Sequence, residues 1–167
     1  MDSHLRELQD EITAATQGMS VEELTRHRVG KWNAAEVLEH LYLTYQGTVK
    51  GLERCLAEGK PLARRPAFMD RVRATVVTRF NYMPTGRKAS ERLMPRGMAA
   101  DQVTREIEAQ IIALDDAITR CEARFGRRTR LLDHPVLGPL TAHQWRKFHW
   151  VHGRHHVKQI RQLRHKE

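Results

Sequence analysis

Histidines recur three and four residues apart in the run His149-Trp150-Val151-His152-Gly153-Arg154-His155-His156, and their chemistry would be metal ligation. Neutral imidazole suits Zn, Ni or Fe. On a helix, at about 100° per residue, His152 and His156 lie about 40° apart around the axis, with His149 beside them. One helix supplies only part of a site, so a further ligand has to come from another element. His40 is the candidate, at the end of Trp32-Asn33-Ala34-Ala35-Glu36-Val37-Leu38-Glu39-His40. Three protein imidazoles with an open position would describe a catalytic rather than a structural metal site. Spacing alone leaves His149 and His152 as rivals for the same ligand position. His155 falls off the inward face, and His4, His27, His134, His143 and His165 are read as surface or core-edge residues. Glu36, one turn before His40, could orient a ligand or accept a proton. It is equally the capping-box partner of Asn33, the reading favoured here.

Four long helices must position these residues. The first is expected over about residues 2–17, with Leu5, Leu8, Ile12 and Ala15 at helical spacing and Gly18 as a stop. A short turn follows the Ser20–Glu23 capping box. The second long helix opens at Asn33, with Glu36 at the third position after it, and ends before Gly59-Lys60-Pro61. The third covers about 101–125, where Val103, Ile107, Ile111, Leu114 and Ile118 form an apolar stripe. The fourth starts at Thr141, capped through Gln144, and is expected to run to the last residue. Between the second and third lies a long crossover with Pro61, Pro66, Pro84 and Pro95 and a short helix near 67–80. No strand pattern stands out. The pattern predicts an all-α four-helix bundle in one domain, residues 1–167, with ligands projecting inward from facing helices.

Composition narrows the partners. The chain is 40% hydrophobic and 29% charged, a globular balance, and its two cysteines, Cys55 and Cys121, suggest neither a disulfide framework nor a metal knuckle. No apolar run approaches the ~20 residues that span a bilayer, so a cytoplasmic protein without a membrane partner is expected. The net charge of +9 is concentrated: residues 60–100 hold ten bases and two acids, and 120–167 hold twelve bases and three acids. Lys147, Arg154, Lys158 and Arg161 lie opposite His152 and His156, where a solvent-facing arc is expected. A nucleic-acid partner is disfavoured, since aromatic residues are only 6% and no binding motif is present.

The segment Trp32 to Leu41 resembles the start of the second helix in the DinB-like superfamily of metal-binding four-helix bundles. His152-Gly153-Arg154-His155-His156-Val157-Lys158-Gln159 is similar to that superfamily's last-helix pattern, H-x-x-H-H-x-x-Q. The run His134-Pro135-Val136-Leu137-Gly138-Pro139-Leu140-Thr141, followed by Trp145 and Phe148, resembles an uncharacterised branch of it. The resemblance implies a DinB-like bundle and a metal site made of His40, His152 and His156, with His149 and His155 outside it. It further implies thiol S-transfer or a related isomerisation such as that of maleylpyruvate, with a low-molecular-weight thiol such as bacillithiol, mycothiol or glutathione as co-substrate. The metal would lower the thiol's pKa. A homodimer is the expected assembly. The arginines Arg64, Arg65, Arg71, Arg73 and Arg79 are candidates for recognising carboxylates of the thiol or substrate. The competing expectations are a metal-binding stress-response protein without turnover and, less favoured, nonspecific nucleic-acid attraction.

Overall fold

The local chemistry at the helix starts sets most of the boundaries. A computed structural model describes residues 1–83 and 90–165, so Pro84 of the crossover and the last two residues of the expected final helix lie outside it. Helix α1 (Ser3–Thr16) begins where the Asp2 side chain accepts from the His4 N–H, and α2 (Val21–Thr25) carries the expected Ser20–Glu23 capping box. In α3 (Ala34–Glu58), Asn33 and Glu36 close a reciprocal pair, each side chain accepting the other's backbone N–H at 2.8 Å. Gly59 ends that helix at φ +68, a left-handed cap that glycine adopts without steric cost. Helix α4 (Phe68–Phe80) occupies the crossover, followed by a single 3₁₀ turn, Glu91–Leu93. Helix α5 is Ala100–Phe125 and α6 is Ala142–His165, the latter entered through reciprocal Thr141–Gln144 hydrogen bonds.

The four long helices α1, α3, α5 and α6 pack on one another, α3 most extensively against α5 and α1 against α6. The stripe read from the sequence of α5 is buried along its length, in one core with Leu38, Leu41, Tyr45 and Leu52 of α3 and Leu5, Leu8 and Ile12 of α1. Each such side chain contributes about 1.5–3 kcal/mol on burial. Arg146 of α6 is also nearly buried. Its guanidinium donates to Glu122 Oε2 at 2.6 Å and Thr119 Oγ1 at 3.0 Å, and it faces Asp115 and Asp2 at 3.8 and 3.9 Å.

Two features depart from expectation. A two-stranded antiparallel hairpin, β1 (Arg130–His134) and β2 (Gly138–Thr141), stands where no strand was foreseen, with Leu132 opposite Leu140 and His134 opposite Gly138. Leu131 and Leu140 are fully buried, and Leu132 lies over Gly51 of α3, so the hairpin is held by packing rather than by strand-like alternation. It runs directly into α6 and sets where that helix begins. The second departure is the arc of Lys147 and Arg154 on α6. Rather than lying free in solvent, both cations stack on the Trp150 ring, at 3.9 and 4.7 Å, and Arg154 pairs with Glu11 of α1 at 3.0 Å. Helix α1 covers this side, while Lys158 and Arg161 are exposed as expected.

Candidate metal centre

His40 of α3 and His152 and His156 of α6 meet where the two helices face each other. One ligand atom from each lies within 4.8 Å of the others, so the three could hold a metal ion. The Nε2 atoms of His40 and His156 stand 3.3 and 3.1 Å from Nε2 of His152. Atoms sharing one tetrahedral ion at about 2.0–2.1 Å would stand about 3.3 Å apart. The far side of two rings is committed. His40 Nδ1–H donates to the Leu93 carbonyl at 2.9 Å, and His156 Nδ1–H donates to Gln159 Oε1 at 2.8 Å. Both rings therefore present an Nε2 lone pair to the centre, and outer partners of this kind fix ligand orientation in metal sites. His152 can supply at most one hydrogen at Nε2. Unless a cation sits among them, one of the two short nitrogen contacts is lone pair against lone pair.

Burial keeps all three imidazoles neutral. It pushes His40 down, His152 well down, and His156 down to about 3, with the neighbouring rings adding to the effect at His152 and His156. Aromatic walls complete the setting: Phe148 stacks on His152 at 5.4 Å and 14°, and Trp32 leans on His40 at 5.2 Å.

The other sequence candidates go elsewhere. His149 is fully buried between Tyr45, Trp145 and Phe148, and neither ring nitrogen has a hydrogen-bond partner among the described residues. The Glu36 carboxylate serves the Asn33 cap and approaches His27 at 4.0 Å. Arg64 binds Asp70 at 2.7 Å and faces Asp133, while Arg65, Arg71, Arg73 and Arg79 are exposed. Both cysteines are free and buried, their thiols pushed up by desolvation, Cys121 to about 11, which suits neither to act as a nucleophile.

Two residues that sequence reasoning passed over shape the centre. Glu39 is nearly buried, and its carboxylate accepts the backbone N–H groups of Arg96, Gly97 and Met98 at 2.7, 3.1 and 3.0 Å. Glu39 and His40 thus fasten the same short stretch, 93–98, and the first of these bonds helps place the carbonyl that orients the second. His134, assigned no role, accepts the N–H groups of Val136 and Leu137 at Nδ1 and packs its ring on Phe148 at 4.4 Å. Its position before Pro135 was the available signal.

Buried neutral histidines carry a pH signature. Desolvation lowers His149 to about 3 and His134 to about 4, against an ordinary value near 6.5. Between those limits the unfolded chain binds more protons than the folded one, so stability rises with pH and falls as acid is added from about 6.5 downward. The expected loss is up to about 1.4 kcal/mol per pH unit for each buried imidazole. Urea unfolding at pH 7.5 and pH 5 measures it. His149→Phe should reduce the difference between the two, and an unchanged difference would show that His149 is not a source of it.

Helical packing and a converging histidine trio define an all-α protein with a cluster able to hold a metal ion. The chain belongs to the family described as Protein of unknown function (DUF1569), which it matches over residues 2–163. No curated protein and no solved structure matches it.

Proposed function

We propose that this protein is a divalent-metal-dependent enzyme of the DinB-like superfamily that transfers or isomerises adducts of a low-molecular-weight thiol. His40, His152 and His156 would hold Zn, Ni or Fe through Nε2. The observation carrying this reading is the convergence of the three nitrogens, two of them from rings whose opposite nitrogen is already hydrogen-bonded. A bound divalent ion supplies Lewis acidity, which makes a thiolate available at neutral pH.

The chain's own residues do the rest. Leu93 and Gln159 hold two ligand rings in register, Glu39 secures the stretch carrying Leu93, and Phe148 and Trp32 supply apolar walls beside the ligands. Neither cysteine is needed, consistent with their burial. The test is to load the metal-free chain with each ion in turn and follow transfer of bacillithiol, mycothiol or glutathione to an electrophile, together with isomerisation of maleylpyruvate. Turnover restored by one ion and abolished by a chelator supports the proposal. A fully loaded chain without either activity would overturn it and leave a metal-binding protein without turnover.

A further inference from the structure

Helix α4 wears its apolar side outward. At about 100° per residue, Phe68, Val72, Val76, Met69 and Phe80 share an arc of about 120°. Phe68 is 77% exposed, Phe80 69% and Met69 50%, with Tyr82 just beyond the helix at 58%. Contact with the body is made from the other side, by the small set Asp70, Ala74 and Val77. A surface helix of a water-facing protein normally shows the reverse pattern. An exposed apolar patch bordered by charge marks an interaction surface.

The charge on this segment is one-sided. Residues 60–83 contain six bases, Lys60, Arg64, Arg65, Arg71, Arg73 and Arg79, and a single acid, Asp70. That acid is buried, where it accepts from the Ala67 N–H at 2.8 Å and from Arg64 at 2.7 Å. The side chains of Arg65, Arg71, Arg73 and Arg79 are exposed and form no ion pair among the described residues. On the helical wheel Arg79 falls within the apolar arc and Arg73 just past its edge, where long side chains can reach outward beyond the apolar layer.

We propose that α4 docks the protein on an anionic lipid surface, Phe68, Met69, Val72 and Phe80 entering the headgroup boundary while Arg73 and Arg79 engage lipid phosphates. Charge complementarity selects this occupant. A two-fold contact with a second copy through α4 would bring the same unpaired arginines toward one another, whereas a negative lipid surface meets them with opposite charge. Apolar side chains facing outward between basic ones are the pattern of a helix lying in the membrane interface. Among the described residues no helix is long and apolar enough to cross a membrane, so the contact is peripheral.

The experiment is co-sedimentation of the full chain with phosphatidylcholine vesicles containing about one-third phosphatidylglycerol, against vesicles of phosphatidylcholine alone. The parent should bind the anionic vesicles and lose them as salt is raised. Arg73→Gln with Arg79→Gln should weaken binding about 25-fold, about fivefold for each arginine. Phe68→Ser with Phe80→Ser should weaken it even at low salt. Both pairs are exposed, so unchanged helix content by circular dichroism shows that the variants still fold. Absence of binding, equal binding to the two vesicles, or variants that bind like the parent would overturn the proposal. So would a concentration-dependent dimer that only the phenylalanine variant dissolves, which would assign the face to a second copy.

Discussion

His156→Ala will leave the chain essentially without metal, where the parent, purified without chelator or affinity tag, will carry about one divalent ion per chain. Loss of an outer partner alone costs metal sites about 10- to 100-fold in affinity, and loss of one of three protein ligands must cost more. Gln159→Leu provides the graded comparison. It removes the acceptor of His156 Nδ1–H, together with a 3.2 Å contact to His155 Nε2 outside the trio, so it should weaken binding within that range while saturating metal still fills the site. His149→Phe is the counter-control, because His149 sits on the same helix yet packs among Tyr45, Trp145 and Phe148, outside the trio. It should retain the parent's metal. Elemental analysis gives the first readout and thermal unfolding the second. Metal at about 100 times its dissociation constant adds about 2.7 kcal/mol to folded stability, a gain the parent should show and His156→Ala should lack. Equal metal in parent and His156→Ala, or a parent that takes up none, would remove the basis for metal chemistry at this centre.

His40 and the histidine run of the last helix were legible because their signal is local: imidazoles three and four apart on a capped helix, and another ending a segment with its own cap. Spacing did not separate His149 from His152; the resemblance set His149 aside, and the physical reason lies in three dimensions. Both lie on the inward side of α6, but His149 meets Tyr45 and His152 meets His40, a difference set by the offset between α3 and α6 rather than by spacing. The capping boxes of α2, α3 and α6 were legible for the same local reason, since each consists of a side chain and an N–H three residues apart. The hairpin was not. Pro135 and Pro139 argue against strands, and the pairing rests on distant contacts of Leu131, Leu132 and Leu140. Glu39 escaped notice because an acid destined for a nest of three N–H groups looks, in sequence, like any solvated glutamate. Trp150 misled in the opposite way: its cationic neighbours were assigned to solvent, when they stack on a ring covered by α1.

Gly153→Ala, adjacent to a candidate ligand, should destabilise the protein even though alanine is the better helix former. A Cβ added at Gly153 would stand 2.4 Å from Leu8 Cδ1, 2.8 Å from Cδ2 and 3.1 Å from Cγ. Leu8 is fully buried, so it has no solvent into which to swing. Helix propensity favours alanine over glycine by about 1 kcal/mol, while overpacking a core costs about 1–3 kcal/mol, and the shortest contact puts this site toward the upper end. A net loss of about 1–2 kcal/mol is expected by denaturant unfolding. The sign should reverse once the obstruction is removed. Leu8→Ala alone should cost about 2–5 kcal/mol, and adding Gly153→Ala in that background should restore part of it, through better helix propensity and a partly filled cavity. Such a reversal in a double-mutant cycle identifies direct contact, whereas additive effects would sink it. The same pair bears on the centre. His152 and His156 both ride on α6, so a backbone shift that relieves the clash carries two of the three imidazoles away from His40 on α3. Gly153→Ala should therefore also weaken metal binding in the parent, and less so when Leu8 is alanine. A loss of stability without that loss of affinity would mean that Leu8 gives way while α6 stays in place.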